Sequence, residues 1–364
     1  MYSKRVIDFI DVCLAVTSCL GANSMRYSHR HNLFYSPKYA RLLCRMTALF
    51  LLANQIFSLT RISRYFFIPL EASKDIYGFN LTYFFLLASA ITLVCFYLIA
   101  SDPPEFVHTL NQTLHYARYL AGRWVPEKKA KAHPSGPLLE KFLYLVAFIV
   151  GGFCFTGPAM SYLMEPNPGQ WITLIPKENR TSLLYWTFLT FIIPFHSTEL
   201  NLNLPHGRSY ISFNSFRSLT IFPLQYRTFE ILHRRALPIL SPALIPLQAL
   251  FHNCSLFCNW MLLTHWDGMG VLRIALIFGE LCMVTFWMGV LQIGGKFYTG
   301  SLKNIESWKQ MDGANGYFRK WRKSIRPLCI GHEGYYFIKR LKALKFGNAI
   351  INGTFNMLIT YNNL

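Results

Sequence analysis

The chain has 364 residues, of which 52% are hydrophobic and 15% charged, and its formal net charge is +19. Soluble domains carry about 25% charged residues, so this composition indicates a protein surrounded by lipid. The charge does not indicate a nucleic-acid partner, because the Lys and Arg residues lie between long apolar runs rather than on one polar domain.

Seven apolar stretches approach the roughly 20 residues that a helix needs to cross a bilayer. They predict an all-α fold, a polytopic helical bundle formed by residues 1–364 as a single transmembrane domain. The predicted spans are residues 43–65, 78–100, 142–164, 181–200, 247–266, 269–292 and 346–364. The fifth span is taken to begin near Leu247, because Pro238, Pro242 and Pro246 make the preceding stretch a poor helix interior.

The distribution of basic residues predicts a cytoplasmic amino terminus. With that orientation, 29 of the 36 Lys and Arg residues fall in cytoplasmic segments, and five fall in outside segments. Cytoplasmic loops of membrane proteins carry such an excess. The sequon that begins at Asn179 agrees, because it falls in the loop between the third and fourth spans, which this topology puts outside, and we expect Asn179 to be a glycosylation site.

No arrangement of residues predicts catalysis. The eleven histidines form no paired motif of a membrane metalloenzyme, and the sequence has neither a Gly-rich phosphate loop nor a nucleophile elbow. Cys254 and Cys258 lie four residues apart without a matching His or Cys pair, so packing is favoured over a metal site. We expect no enzyme activity, no cofactor and no metal.

The last predicted helix carries a regular polar stripe. Asn348, Asn352, Asn356 and Thr360 recur every four residues and therefore share one slowly drifting face. Amides that face lipid are costly, so the stripe faces protein or water. Two interpretations stay open: hydrogen bonding between helices of the bundle, or a pore lined by this helix around an oligomer axis.

Glu280 lies inside the sixth predicted span, where a carboxylate is expensive and therefore indicates a function. Arg273, seven residues earlier, lies on about the same face. The carboxylate therefore either pairs with Arg273 or another basic residue, or contacts a ligand or ion.

Aromatic residues concentrate in the outer halves of the predicted helices. They favour either an apolar ligand site between helices or ordinary packing and interfacial residues. The residues are Tyr83, Phe84, Phe153, Phe155, Tyr162, Tyr185, Trp186, Phe188 and Trp260.

The stretch from Arg326 to Lys339 contains Pro327, Cys329, glycines and aromatics, and leads into the last helix. In this order of residues the carboxyl end resembles the insect gustatory and odorant receptor superfamily. Thr360-Tyr361 matches the first two residues of a motif in the gustatory branch. Seven spans, an inside amino terminus and short outside loops are also similar to this family.

The resemblance implies a chemosensory receptor in the plasma membrane, acting as a ligand-gated cation channel. It implies a homo- or hetero-tetramer with a tastant or odorant as ligand, residues 302–345 as a cytoplasmic helical anchor segment, and a pore lined by the last helix. The implied pore residues are Asn348, Asn352, Asn356, Thr360 and Tyr361. The implied ligand region contains Tyr83, Phe84, Phe155, Tyr162, Tyr185 and Trp186, to which we add Glu280 for its position.

Three other classes of membrane protein are alternatives to a chemosensory channel. A G-protein-coupled receptor has an outside amino terminus and usually an outer-loop disulfide, and neither fits the predicted topology. A transporter would suit Glu280 and the prolines of the fifth stretch, and it predicts substrate flux without a conductance. An accessory membrane protein would suit the cytoplasmic segment.

Overall fold

The computed structural model of the chain describes residues 4–19, 21–67, 73–124, 218–266, 269–270, 272–308, 316–332 and 335–362. These residues are mostly helical. The helices are α1 (Lys4–Cys19), α2 (Lys38–Phe67), α3 (Ser73–Ala100), α4 (Pro103–Trp124), α5 (Ile221–Thr264), α6 (Leu272–Ser307), α7 (Gly316–Ser324) and α8 (Lys342–Asn362). The strands are β1 (Arg26–Ser28), β2 (Leu33–Tyr35), β3 (Gly331–His332) and β4 (Tyr336–Phe337).

Four described helices are long and apolar enough to cross a membrane: α2, α3, α5 and α6. The predicted spans 43–65 and 78–100 fall on α2 and α3. The predicted spans 247–266 and 269–292 fall largely on α5 and α6. The seventh stretch corresponds to α8, and spans 142–164 and 181–200 lie outside the described residues. The count of seven and the orientation therefore stay predictions.

Helix α5 is much longer than its predicted span. It continues back from Leu247 through Pro246, Pro242 and Pro238 to Ile221, so the expectation that the prolines end the helix was wrong. The four-residue spacing puts the three rings on one side of the helix, where each removes a backbone donor. Nearby, the Ser241 hydroxyl contacts the backbone oxygens of Leu237 at 2.5 Å and Gly331 at 2.8 Å.

The length of α5 carries it out of any bilayer. Its 44 residues make about 66 Å at 1.5 Å per residue, against about 30 Å of hydrocarbon. Its first turns carry Arg227, Glu230, Arg234 and Arg235, so this end is the one outside the hydrocarbon. Helix α6 has 36 residues and extends on the same side.

This extension forms an aromatic layer, which we define as Phe222 and Tyr226 of α5, Trp308 after α6, and Phe318 and Trp321 of α7. Trp308 and Phe318 are 1% and 0% exposed. Trp308 stacks on Trp321 with ring centroids 5.7 Å apart. The Phe222 and Trp308 rings are roughly perpendicular, with centroids 4.7 Å apart. Trp308, Phe318 and Trp321 of the layer lie within residues 302–345, the segment predicted as the cytoplasmic anchor, and that role stays a prediction.

The central core joins α3, α5, α6 and α8. Trp287 of α6 stacks on Phe251 of α5 at 5.0 Å, and Phe346 and Ile350 of α8 are buried against the same cluster. The β3–β4 hairpin contributes Ile330 and Ile338 from its flanks. The first turns of α8 are therefore fixed by both the membrane helices and the hairpin.

The chain start packs on α4. Strands β1 and β2 form an antiparallel hairpin in which Tyr27 faces Phe34. The Asn111 side chain of α4 acts like a further strand residue, because its amide donates to Phe34 O and its oxygen accepts from Phe34 N, both at 2.8 Å. Arg118 donates to Asn32 O at 2.7 Å, which holds the turn of the hairpin.

Candidate functional site: the last helix and the cluster behind it

Helix α8 packs on the other described residues of its chain through one side. Phe346 and Ile350 are buried, and Gly353 lies so close to α5 that a Cβ there would come within 2.7 Å of Leu256. Thr354 lies on this side as well and contacts α5. These contacts fix which face of α8 is turned away from the bundle.

The predicted polar stripe lies on that outward face. Asn348, Asn352, Asn356 and Thr360 are all exposed in the isolated chain, and Tyr361 lies in the last turn of the same helix. Of the two interpretations left open by the sequence, hydrogen bonding within the chain's own described bundle is not supported. Amides are costly against lipid, so a membrane position of α8 would require water or another chain against this face.

An apolar strip runs beside the amides. Leu344, Ile351, Phe355 and Ile359 are exposed, Phe355 by 61%. The strip is offset from the amides by less than a quarter turn at 100° per residue. Helix α8 therefore presents three faces: one against α5 and α6, one of amides and hydroxyls, and one apolar.

A polar bridge connects α8 to the two longest helices. The Asn259 Nδ2 amide of α5 donates to Thr354 Oγ1 at 3.1 Å. The Thr354 hydroxyl in turn donates to Ile350 O of its own helix at 2.9 Å. The Asn259 side chain also lies near the Glu280 carboxylate on α6. Three helices thus meet at three polar side chains.

The structure does not pair Glu280 with Arg273. The Arg273 guanidinium donates through Nε to Gly270 O at 3.0 Å and lies over the Trp266 ring at 5.2 Å. The ion pairs of the described residues join Asp11 to His29 and Glu230 to Arg227 and Arg234. Glu280 has an amide partner instead, so the pairing interpretation with Arg273 was wrong.

Behind the bridge lies an aromatic group that we call the outer cluster. It contains Tyr83 and Phe84 of α3, Phe257 and Trp260 of α5, and Leu276 of α6. Tyr83 meets the edge of Phe257 at 5.0 Å, and Phe257 and Trp260 are 5.8 Å apart. Tyr83, Phe84 and Trp260 are partly buried rather than sealed in the core. Such a half-open aromatic group suits an apolar small molecule.

The structure brings together only part of the predicted ligand set. Tyr83 and Phe84 share the outer cluster, and Glu280 lies on α6 one helical turn after Leu276 of that cluster. Phe155, Tyr162, Tyr185, Trp186 and the sequon at Asn179 lie outside the described residues. Sequence reasoning did not single out Asn259 and Thr354, although an amide inside an apolar stretch is a usable signal.

The foot of α8 is held by Tyr336 of β4. Its hydroxyl hydrogen-bonds the Gln248 side chain of α5, and the Lys342 ammonium lies over its ring at 4.5 Å. Burial raises the pKa of Tyr336 to about 12, so its hydroxyl stays a donor at physiological pH. No group of three His, Cys, Asp or Glu side chains suited to a metal occurs in the described part of the chain.

No family model matches the sequence, and no curated protein matches it. Among solved structures, the chain is similar to the insect olfactory receptor OR5 from Machilis hrabei in complex with eugenol. The TM-score is 0.65 with 10% identity, over 98% of this chain and 99% of that receptor.

The chain is therefore a helical membrane protein, and it has the fold of an insect olfactory receptor over its whole length. This likeness confirms, at the level of the fold, the resemblance to the insect gustatory and odorant receptor superfamily that the sequence predicts.

Proposed function

We propose that this chain is a chemosensory receptor subunit that forms a ligand-gated cation channel. The observation that carries the proposal is the outward polar face of α8, on a chain whose whole length has an insect olfactory receptor fold. Uncharged amides and hydroxyls around an axis partly replace the hydration of a cation, as a conducting pore requires.

In this proposal, the pore is lined by Asn348, Asn352, Asn356, Thr360 and Tyr361 of several subunits. Four-fold assembly would give the amides of α8 an aqueous surface and give its apolar strip a neighbouring chain or lipid to contact. The three-faced character of α8 supports this arrangement, because one face is already used within the chain. Homomeric and heteromeric tetramers both satisfy it.

The proposed ligand site is the outer cluster together with the predicted residues beyond the described part. Tyr83 and Phe84 would contact the ligand, and Phe155, Tyr162, Tyr185 and Trp186 complete the predicted set. The similar solved receptor is in complex with eugenol, so small volatile phenols are the first class of ligand to test, and tastants the second. Glu280 borders the cluster and joins this set through its position.

The proposed location is the plasma membrane with a cytoplasmic amino terminus. The charged first turns of α5 and the aromatic layer then lie in the cytoplasm, while Asn179 is outside and glycosylated. The excess of Lys and Arg in the inside segments supports this orientation. Antibody access to tags at the amino terminus and beside Asn179, before and after permeabilisation, tests it directly.

The test of function is whole-cell current from cells that express the chain, during application of phenols, other volatiles and tastants. A ligand-evoked cation current is expected, and Asn352→Leu or Asn356→Leu should change its reversal potential under bi-ionic conditions. The matched control is Asn253→Leu, which changes an exposed Asn on α5 rather than α8 and should leave the reversal potential unchanged.

The second candidate is a transporter, favoured by the carboxylate of Glu280 beside Asn259 within the bundle. It predicts ligand uptake without a conductance. A surface-labelled protein with an outside amino terminus and no current would overturn the channel proposal.

A further inference from the structure

The bridge of Asn259, Thr354 and Glu280 lies between the outer cluster and the last helix. Asn259 immediately precedes Trp260, and Phe257 lies half a turn earlier, so any displacement of these rings moves the same turn of α5. On the other side, the Asn259 amide contacts Thr354, which lies between Asn352 and Asn356 of the polar stripe along α8. The bridge thus connects the two parts of the proposed machinery.

The two recorded hydrogen bonds of the bridge are compatible with each other. The Thr354 hydroxyl proton goes to Ile350 O, which leaves its oxygen free to accept from Asn259 Nδ2. An amide nitrogen carries two hydrogens, so Asn259 can serve Thr354 and Glu280 at once. Among the described residues, the bond from Asn259 to Thr354 is the hydrogen bond between side chains that joins α5 and α8.

The other contacts between α5 and α8 join apolar, small or ring side chains, among them His252 and Phe346, whose ring centroids are 6.2 Å apart. Gly353 meets Leu256, and Phe346 and Ile350 pack in the central core. Apolar surfaces slide with little directional preference, whereas a hydrogen bond has a preferred distance and angle. The bridge therefore sets the rotation and height of α8 against α5 at the level of the polar stripe.

We propose that Asn259 is a positioning residue for gating: through Thr354 and Glu280 it couples ligand occupancy of the outer cluster to the position of the last helix. The inference rests on the proposed channel function and adds a residue and a contact to it. Coupling of this kind is a free energy shared between two sites, so it can be measured as a change in ligand sensitivity.

The experiment compares ligand concentration-response curves and basal current for Asn259→Ala, Thr354→Val and the double variant, with surface protein quantified for each. Hydrogen bonds between membrane helices contribute about 0.6 kcal/mol on average, so each single variant should change the half-maximal concentration or the basal current about threefold. The double variant should equal the larger single effect, because both single changes remove the same bond.

Three controls separate positioning from general damage. Thr354→Ser keeps the hydroxyl and should restore wild-type sensitivity. Thr92→Val on α3 removes a hydroxyl that likewise bonds its own helix, at Ala88 O, and should change nothing. Asn253→Ala is the matched control for Asn259→Ala and should also be silent. Glu280→Gln keeps an oxygen acceptor for Asn259 and should be milder than Glu280→Leu.

The single-channel conductance and reversal potential distinguish this role from pore lining. Both should stay at wild-type values in Asn259→Ala and Thr354→Val, since neither residue lies on the outward face of α8. Two outcomes overturn the inference and leave the channel proposal intact. In the first, the wild-type chain gives a current and both single variants keep its ligand sensitivity. In the second, the effects of the two single changes add in the double variant. The absence of any current from surface-expressed wild-type chain, together with an outside amino terminus, overturns the channel proposal itself.

Discussion

The two ends of the α5–α6 pair are built differently. At one end, the aromatic layer encloses Trp308 and Phe318 almost completely, and the carboxylate of Glu230 is held by Arg227 at 2.6 Å and Arg234 at 2.9 Å. At the other end, the outer cluster leaves Tyr83, Phe84 and Trp260 partly accessible and uses the polar bridge. The same two helices thus combine a sealed end with an open one.

The difference indicates that the sealed end of the helix pair contributes mainly to stability, whereas the open end is available for function. A sealed aromatic core loses several kcal/mol when one ring is removed, whereas partly buried rings tolerate change. The predictions below test this contrast at both ends, from the largest expected loss of stability to the smallest.

Trp308→Ala should have the largest effect on stability. The side chain is 1% exposed and contacts the rings of Phe222, Tyr226 and Trp321, so we expect a loss of about 3–5 kcal/mol. Thermal stability in detergent, followed by size-exclusion chromatography, measures it. Tyr317→Ala, at a 70% exposed position in the same region, is the control and should stay within about 0.5 kcal/mol. Equal effects of the two changes would refute the contrast.

Gly331→Ala should cost about 1–3 kcal/mol through backbone strain. Gly331 has φ +152°, and a Cβ there would lie 2.0 Å from Tyr336 O across the β3–β4 hairpin. The same thermal assay measures the loss. Gly316→Ala is the matched control, because nothing lies within 4 Å of the added Cβ, and it should be nearly neutral. A neutral Gly331→Ala would mean that the hairpin does not require its close strand approach.

Glu230→Ala should cost about 1–2 kcal/mol. The carboxylate is buried, but its Arg partners are more than half exposed, so solvent screens their attraction. Arg234→Ala should cost less, because Glu230 keeps Arg227. Thermal stability at low and high salt measures both, and the loss should shrink as salt rises. A larger loss for Arg234→Ala than for Glu230→Ala would contradict this order.

Asn259→Ala should have the smallest effect on stability, below about 1 kcal/mol, because it removes one bond between helices. We nevertheless expect Asn259→Ala to alter ligand sensitivity, as proposed above. Trp308→Ala should then have the larger effect on stability, and Asn259→Ala the larger effect on gating. Thermal stability and current recorded on the same preparations of Asn259→Ala and Trp308→Ala make the comparison. A loss of stability from Asn259→Ala similar to that from Trp308→Ala would remove the contrast.

The sequence was a good guide to the positions of the helices, because long apolar runs and periodic polar residues are local signals. The run before Ala100 predicts α3, and the four-residue spacing of Asn348 and Asn352 identifies the face of α8 that is turned outward. The predicted start of α5 was wrong, because the low helix propensity of proline was considered without the contacts that support that stretch. One such contact is the hydrogen bond from the Ser241 hydroxyl to Gly331 O.

The partners of polar residues were harder to predict from sequence. Arg273 and Glu280 share a helix face by spacing, yet the guanidinium turns to Gly270 and Trp266 while the carboxylate reaches Asn259 of another helix. Contacts between helices depend on the rotation and depth of each one, and a period along a single helix does not contain that information. Asn259 and Thr354 lie 95 residues apart, so their contact is a property of the fold.

The prolines of α5 give the chain a mechanical property. Rings at Pro238, Pro242 and Pro246 remove backbone donors over two successive turns, so bending stiffness is lowest there and highest in the proline-free stretch that follows. That stretch is a lever arm of about 27 Å from Leu247 to Thr264. A tilt of about 5° at the prolines moves Asn259, about 18 Å along this arm, by about 1.6 Å, which is enough to lengthen its 3.1 Å hydrogen bond to Thr354 beyond hydrogen-bonding distance.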